Sequence, residues 1–274
     1  MKLFYFRPED TVLEQPAFLH NEVPYNLLHR ISKSPDATRV CSSDGQLIYA
    51  QTPNHPGWLW ISSTISVNQK VEAVQALIKM LGSLTVVGVS GEPKLARLFA
   101  DQYCPLHEMT YSTRMEMESY ACPALIPVKN ILGTPHLAST ENVEIVAYFL
   151  SRISLEIYGK SVEPESRIEV AANLINTGGV YLWKQGNKYV SMANISHRSP
   201  RHGSINAVYT PLDARGKGYA SALVSYISQI LIDEGYIPIL YTDLSNPISN
   251  KIYQRLGYTD RGKIHQIVFR GTKS

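Results

Sequence analysis

The hydrophobic pattern divides the chain into two runs of elements that follow the same order. Short helical periods over Val12–His20 and Asn26–Ser34 are separated by Pro24, which ends or restarts a helix. Thr38–Ser42 and Gln46–Ala50 read as strands flanking Ser43-Asp44-Gly45, a turn suited to a hairpin, and Trp58–Ser62 is a third β-like run. After Asn68, the expected N-cap, Val71, Val74, Leu77, Ile78 and Leu81 recur at helical spacing, and Gly82 is the expected stop. A buried strand over Leu84–Val89, a helix over Lys94–Tyr103 and a long strand over Met109–Tyr120 complete the first run.

Pro123, Pro127, Gly133 and Pro135 break periodicity between 121 and 135, which suits a linker and predicts domains at 1–126 and 127–274. Beyond it, helices are expected over Val143–Tyr158 and Glu165–Asn176. A hairpin follows, from Val180–Trp183 to Tyr189–Ser196 through Lys184-Gln185-Gly186-Asn187. Ser204–Thr210 is a strand, Tyr219–Asp233 a helix, Ile237–Thr242 a strand, Ser249–Leu256 a helix closed by Gly257, and Lys263–Phe269 a last strand. Both runs therefore read strand, strand, strand, helix, strand, helix, strand. That order predicts an α/β (α+β) protein built by a diverged internal duplication.

Composition narrows this picture. At 274 residues, with 44% apolar and 18% charged positions, the chain is in the range of folded two-domain proteins. The formal charge of +3 is spread along it without a Lys/Arg run, so no nucleic-acid partner is expected. Cys41, Cys104 and Cys122 form neither an even set nor a close ligand pair, which predicts a cytoplasmic protein without disulfides or a structural metal. No segment approaches the ~20 apolar residues of a membrane span, and none resembles a secretion signal, so no membrane association is expected.

The two runs differ before their first long helix. The second has Arg215-Gly216-Lys217-Gly218, the first Thr64-Ile65-Ser66-Val67-Asn68 with no glycine. A turn that aims successive backbone N–H groups at a ligand, next to a helix N-terminus, holds an anion, and glycine lets that anion approach the main chain. Gly216 and Gly218 supply this freedom, Ala220 keeps the helix surface small, and Arg215 and Lys217 place cations for phosphate groups. An ordinary basic, solvated strand-to-helix turn would read the same way. A P-loop fails because Lys217 is followed by Gly218, and a dinucleotide fingerprint fails because Ser221 takes the third glycine's place.

Arg215 to Ala220 resembles the R/Q-x-x-G-x-G/A loop of the GNAT superfamily of N-acetyltransferases. Asn246-Pro247-Ile248-Ser249-Asn250-Lys251-Ile252-Tyr253-Gln254-Arg255-Leu256-Gly257-Tyr258 is similar to that family's second half-motif. The resemblance covers Gly178–Phe269. The first half, with Phe18-Leu19-His20-Asn21-Glu22, looks like the degenerate partner domain of tandem members. It implies two GNAT-like domains, each a mixed, largely antiparallel sheet flanked by helices, with acetyl-coenzyme A as co-substrate, a small-molecule primary amine as acceptor and no metal.

For the residues, the resemblance implies that Val208, Tyr209, Thr210, Arg215, Gly216, Lys217, Gly218, Tyr219 and Ala220 hold the pantetheine arm and pyrophosphate on a splayed strand. Asn246 and Asn250 would bind the pantetheine arm or cap the helix, and Tyr253 would be the general acid for the departing thiolate. Periodicity alone equally allows Tyr253 as a core aromatic, since Asn250, Tyr253 and Gly257 share one helical face. Asp243 either orients a polar group or begins a turn. Glu141, Glu144, His197 and His265 are weak candidates for the base, and Trp183, Met192 and Tyr241 either wall an acceptor pocket or fill a core. A silent coenzyme A-binding module and a protein or peptide acetyltransferase stay open as alternatives.

Overall fold

A computed structural model of the chain describes residues 1–271, apart from the side chains at 158 and 247–249. The last group includes Pro247, Ile248 and Ser249 of the second motif. The strands are β1 (Leu3–Tyr5), β2 (Thr38–Ser42), β3 (Leu47–Gln51), β4 (Gly57–Ile61), β5 (Gly88–Gly91), β6 (Met109–Ala121), β7 (Thr134–Leu137), β8 (Val180–Gln185), β9 (Lys188–Arg198), β10 (His202–Tyr209), β11 (Ile237–Asp243) and β12 (Thr259–Gly271). The helices are α1 (Pro16–Leu19), α2 (Leu27–Ser32), α3 (Val67–Leu81), α4 (Pro93–Leu106), α5 (Val143–Tyr158), α6 (Ile168–Asn176), α7 (Tyr219–Asp233) and α8 (Pro247–Arg255).

These elements form two compact units. The first comprises residues 1–120, 242–247 and 260 onward, the second 121–241 and 248–259. The last strand thus belongs to the first unit, where β12 lies between β5 and β6, pairs antiparallel with β5 and has Gly262 O accepting from Ser119 Oγ at 2.7 Å. A continuous second domain at 127–274 differs from this division. Hydrophobic alternation reports that a strand is half-buried, not which sheet edge receives it.

In the first unit β1, β2, β3 and β4 form an antiparallel run, and β4 pairs parallel with β5. A parallel pair needs a crossover, and α3 supplies it. The apolar face of α3, Ala73, Val74, Leu77, Ile78 and Leu81, packs with Leu47, Leu59 and Val89 of the sheet and with Leu95, Phe99 and Tyr103 of α4. The Tyr49, Phe99 and Tyr103 rings stack within this core.

The second unit repeats the plan. β7, β8, β9 and β10 run antiparallel, and β10 pairs parallel with β11 across α7. Val146, Ala147 and Phe149 of α5 and Ala171 and Ile175 of α6 bury against Leu182, Met192 and Tyr209 of the sheet. Met192 is therefore a packed core side chain and no pocket wall.

Two elements depart from the sequence pattern. β5 begins at Gly88 where a strand over Leu84–Val89 is expected, and β7 forms inside the segment read as linker. The Pro and Gly residues of that segment mask β7, whose four residues pair with β8 from Thr134↔Lys184 to Leu137↔Tyr181.

Candidate functional site

The expected donor-binding residues from 208 to 220 form one continuous strand, turn and helix of the second unit. β10 and β11 pair from His202↔Ile237 to Ile205↔Leu240, and among the described residues no further pair joins them although both strands continue. On its other edge β10 carries a bulge: Asn206 faces Asn194 and Tyr209 faces Met192, so three steps along β10 match two along β9. Ala207 within the bulge has φ +50°, a conformation that a non-glycine residue rarely adopts. The bulge and the lost pairing turn main-chain groups near Val208 out of the ladder. The strand's end is then fixed by Ser191, whose hydroxyl donates to Tyr209 O at 2.9 Å and lies 2.9 Å from Thr210 Oγ1.

After Pro211 a short 3-10 turn over Leu212–Ala214 leads to the glycines. Gly216 and Gly218 have φ of +77° and +83°, which an L side chain disfavours by about 1–2 kcal/mol. A Cβ on Gly216 would meet nothing within 4 Å, so that glycine faces open space; at Gly218 it would lie 2.7 Å from Ile131 Cδ1. Gly218 is the N-cap of α7 and places no side chain over the helix's first N–H groups, which have no intrahelical partner. This opening carries the partial positive charge of the helix end and suits an anion. Tyr219 is buried and Ala220 half-buried as α7 begins.

The two cations of the turn are held by the chain itself. Lys217 Nζ donates to Asp213 O at 3.0 Å. Arg215 Nε donates to Thr210 O at 2.9 Å, and its terminal nitrogen pairs with Glu156 of α5. The Arg215 guanidinium lies 5.9 Å from the centre of the Tyr209 ring, and the Tyr209 hydroxyl donates to Glu156 Oε1 at 3.2 Å. Burial pushes the Tyr209 phenol above its ordinary value, against the lowering effect of Arg152.

α8 brings Asn250 and Tyr253 into the same unit. Tyr253 is 7% exposed, its ring lies edge-on to Tyr258 at 5.9 Å, and burial pushes its phenol above the ordinary 10.0, so it stays protonated at neutral pH. Tyr258 is anchored by Ser228 at 2.7 Å. Gly257 is required between them, because its φ is +93° and a Cβ would come 2.2 Å from Ala124 O. Asn246 falls in the first unit, exposed, with its N–H on Asp243 O at 3.0 Å. Asp243 accepts from Ser245 N at 2.8 Å and Ser245 Oγ at 2.6 Å, which is the turn-forming role of an aspartate.

The remaining candidates lie on other segments of the chain. Glu141 and Glu144 are exposed, His265 of the first unit stands 3.9 Å from Glu116, and Trp183 borders an open groove of about 230 Å³ beside α7 while donating to Leu132 O at 3.0 Å. Sequence reasoning missed Glu156 and the bulge at Ala207. An acidic residue in the last turn of α5, where none is basic, was the one available signal for Glu156. Among the described residues no cluster of three metal-ligating side chains occurs and no helix is long and apolar enough to cross a membrane.

The fold and site are those of an α/β protein with an opened parallel strand pair, a glycine turn and a crossover helix without a side-chain cap. Residues 147–258 match the acetyltransferase (GNAT) family, and that span contains the whole strand-turn-helix and α8. A GNAT-family acetyltransferase from Colwellia psychrerythraea is similar over 98% of this chain and 100% of its own, with TM-score 0.60 at 16% identity. A Drosophila protein reaches TM-score 0.68 at 10% identity over 99% of both chains. A GCN5-related N-acetyltransferase from Kribbella flavida gives TM-score 0.60 at 17% identity over 92% of this chain and 95% of that one. These likenesses establish a GNAT fold along nearly the whole chain. No curated protein sequence matches it.

Proposed function

We propose that the chain transfers an acetyl group from acetyl-coenzyme A to a primary amine of a small molecule, and that it does so in its second unit alone. The observation that carries this reading is the start of α7 at Gly218, left without a side-chain cap and following, across the glycine turn, a bulged strand end that has lost its pairing with β11. Gly216, Gly218 and the first N–H groups of α7 receive the pyrophosphate, with Arg215, Lys217, Tyr219 and Ala220 around it. Main-chain groups of Val208, Tyr209 and Thr210, with Asn250, receive the pantetheine arm; Asn246, which belongs to the first unit, is left out of this site. The bound donor supplies an acyl group already activated as a thioester, so no metal is required. Tyr253, kept protonated by burial, donates to the leaving sulfur.

The first unit is read as a GNAT-like domain without a cofactor loop. The three cysteines are buried and free, and burial pushes each thiol up to about 11, so each stays protonated at neutral pH and the reading assigns them no part in the chemistry.

The test is release of free thiol from acetyl-coenzyme A against a panel of small amines, peptides and proteins. Thiol release with small amines supports the proposal. Binding without release marks a silent coenzyme A-binding module, and release with peptides alone marks a protein acetyltransferase.

A further inference from the structure

Glu156 lies where an isolated carboxylate is unfavourable. It occupies the last turn of α5, at the negative end of the helix dipole, in a turn without a basic residue. Both of its oxygens are nevertheless engaged across space. Oε1 accepts from the Tyr209 hydroxyl at 3.2 Å, at the end of the bulged strand, and Oε2 pairs with Arg215 of the glycine turn. Arg152, one turn earlier, also faces the Tyr209 phenol. Glu156 therefore ties together the two segments between which the donor's charged and extended parts would lie.

The Arg215 and Glu156 side chains are 44% and 31% exposed. A pair this open to water is worth no more than about 1 kcal/mol and exchanges readily for a polyphosphate. We propose that Glu156 is a latch on the donor turn: it holds Arg215 back against Tyr209 and Thr210, and coenzyme A binding exchanges this carboxylate for phosphate. Glu156 is on this account a positioning residue acting through Arg215. The inference rests on the reading of the turn as the donor site.

Calorimetric titration of the full chain with coenzyme A tests it. Glu156→Gln keeps the size and the acceptor for Tyr209 but removes the charge, so it is expected to tighten binding by roughly two- to fivefold, the factor equivalent to about 0.4–1 kcal/mol. In an Arg215→Ala background the same substitution is expected to change nothing. A merely structural role for Glu156 would loosen binding in both backgrounds, and a general field effect would tighten it equally in both; either result overturns the latch. Unchanged or weaker binding by Glu156→Gln, with an unaltered thermal midpoint, also overturns it. If the wild-type chain binds no coenzyme A, the donor-site reading fails and the latch with it.

Discussion

In the first unit the crossover helix α3 begins at Ser66, whose hydroxyl accepts from Gln69 N at 3.3 Å while Gln69 Oε1 accepts from Ser66 N at 2.9 Å. In the second unit the corresponding helix α7 begins at Gly218 with no side-chain cap. The loops before them differ in the same sense. Thr64 is tied to Ser62 at 2.8 Å and to Gln46 at 3.1 Å, whereas Gly216 faces open space. At the strand ends the units differ less: β4 and β5 stop pairing after Trp58↔Ser90, with a Cβ on Gly91 still within 2.8 Å of Leu59 O, and β10 and β11 part after Ile205↔Leu240. One topology thus occurs with a helix start closed by its own side chains and with a helix start that no side chain caps. The first contributes stability, and on the proposed function the second receives the donor.

The sharpest way to break this contrast is to disable the chemistry of the open unit. Tyr253→Phe is expected to lower kcat by roughly 100-fold, the smaller end of the usual general-acid contribution, with the acetyl-coenzyme A Kd unchanged. Steady-state thiol release and calorimetry read the two quantities, and unchanged turnover would remove Tyr253 from the mechanism. Next, Gly218→Ser gives the open helix the cap residue of the closed one. The hydroxyl competing for the first N–H groups of α7 is expected to weaken acetyl-coenzyme A binding about tenfold, and the left-handed backbone at Gly218 separately costs about 1–2 kcal/mol of stability.

The converse change is smaller and falls on another property. Ser66→Ala removes half of the capping box and is expected to cost about 1 kcal/mol in denaturant titrations, leaving Kd and kcat as they were. A loss of donor binding would show that the closed end is functional. Alkaline stability is expected not to distinguish the units. Burial raises the phenols of Tyr25 and Tyr49 in the first and of Tyr253 and Tyr258 in the second. The unfolded chain therefore loses these protons first, near the ordinary 10.0, so stability is full below that pH and falls as pH rises above it. Unfolding midpoints between pH 8 and 11 check this.

Much of the contrast was legible in the residues. Val143–Tyr158 and Tyr219–Asp233 are helices with the bounds their periodicity gives, because their apolar stripes and end residues agree. The glycines of the turn announce positive φ, since few other residues tolerate it. The capping box was also written in the chain as Ser66-x-x-Gln69, but Asn68, two residues later, is an equally good cap by composition, and only backbone geometry decides between them. The bulge at Ala207 has no glycine to signal it, and the Glu156–Arg215 pair spans 59 positions, beyond any local pattern. The seating of β12 beside β5 is a matter of which sheet edge is vacant, which alternation within one strand does not encode.

The most direct test of the central claim is a calorimetric titration of acetyl-coenzyme A into the full chain, with an aspartate placed in turn at each helix start. One site per chain is expected, lost in Gly218→Asp, where a carboxylate occupies the anion's position, and retained in Ser66→Asp. Two sites per chain, or a site that survives Gly218→Asp and disappears in Ser66→Asp, would contradict the account.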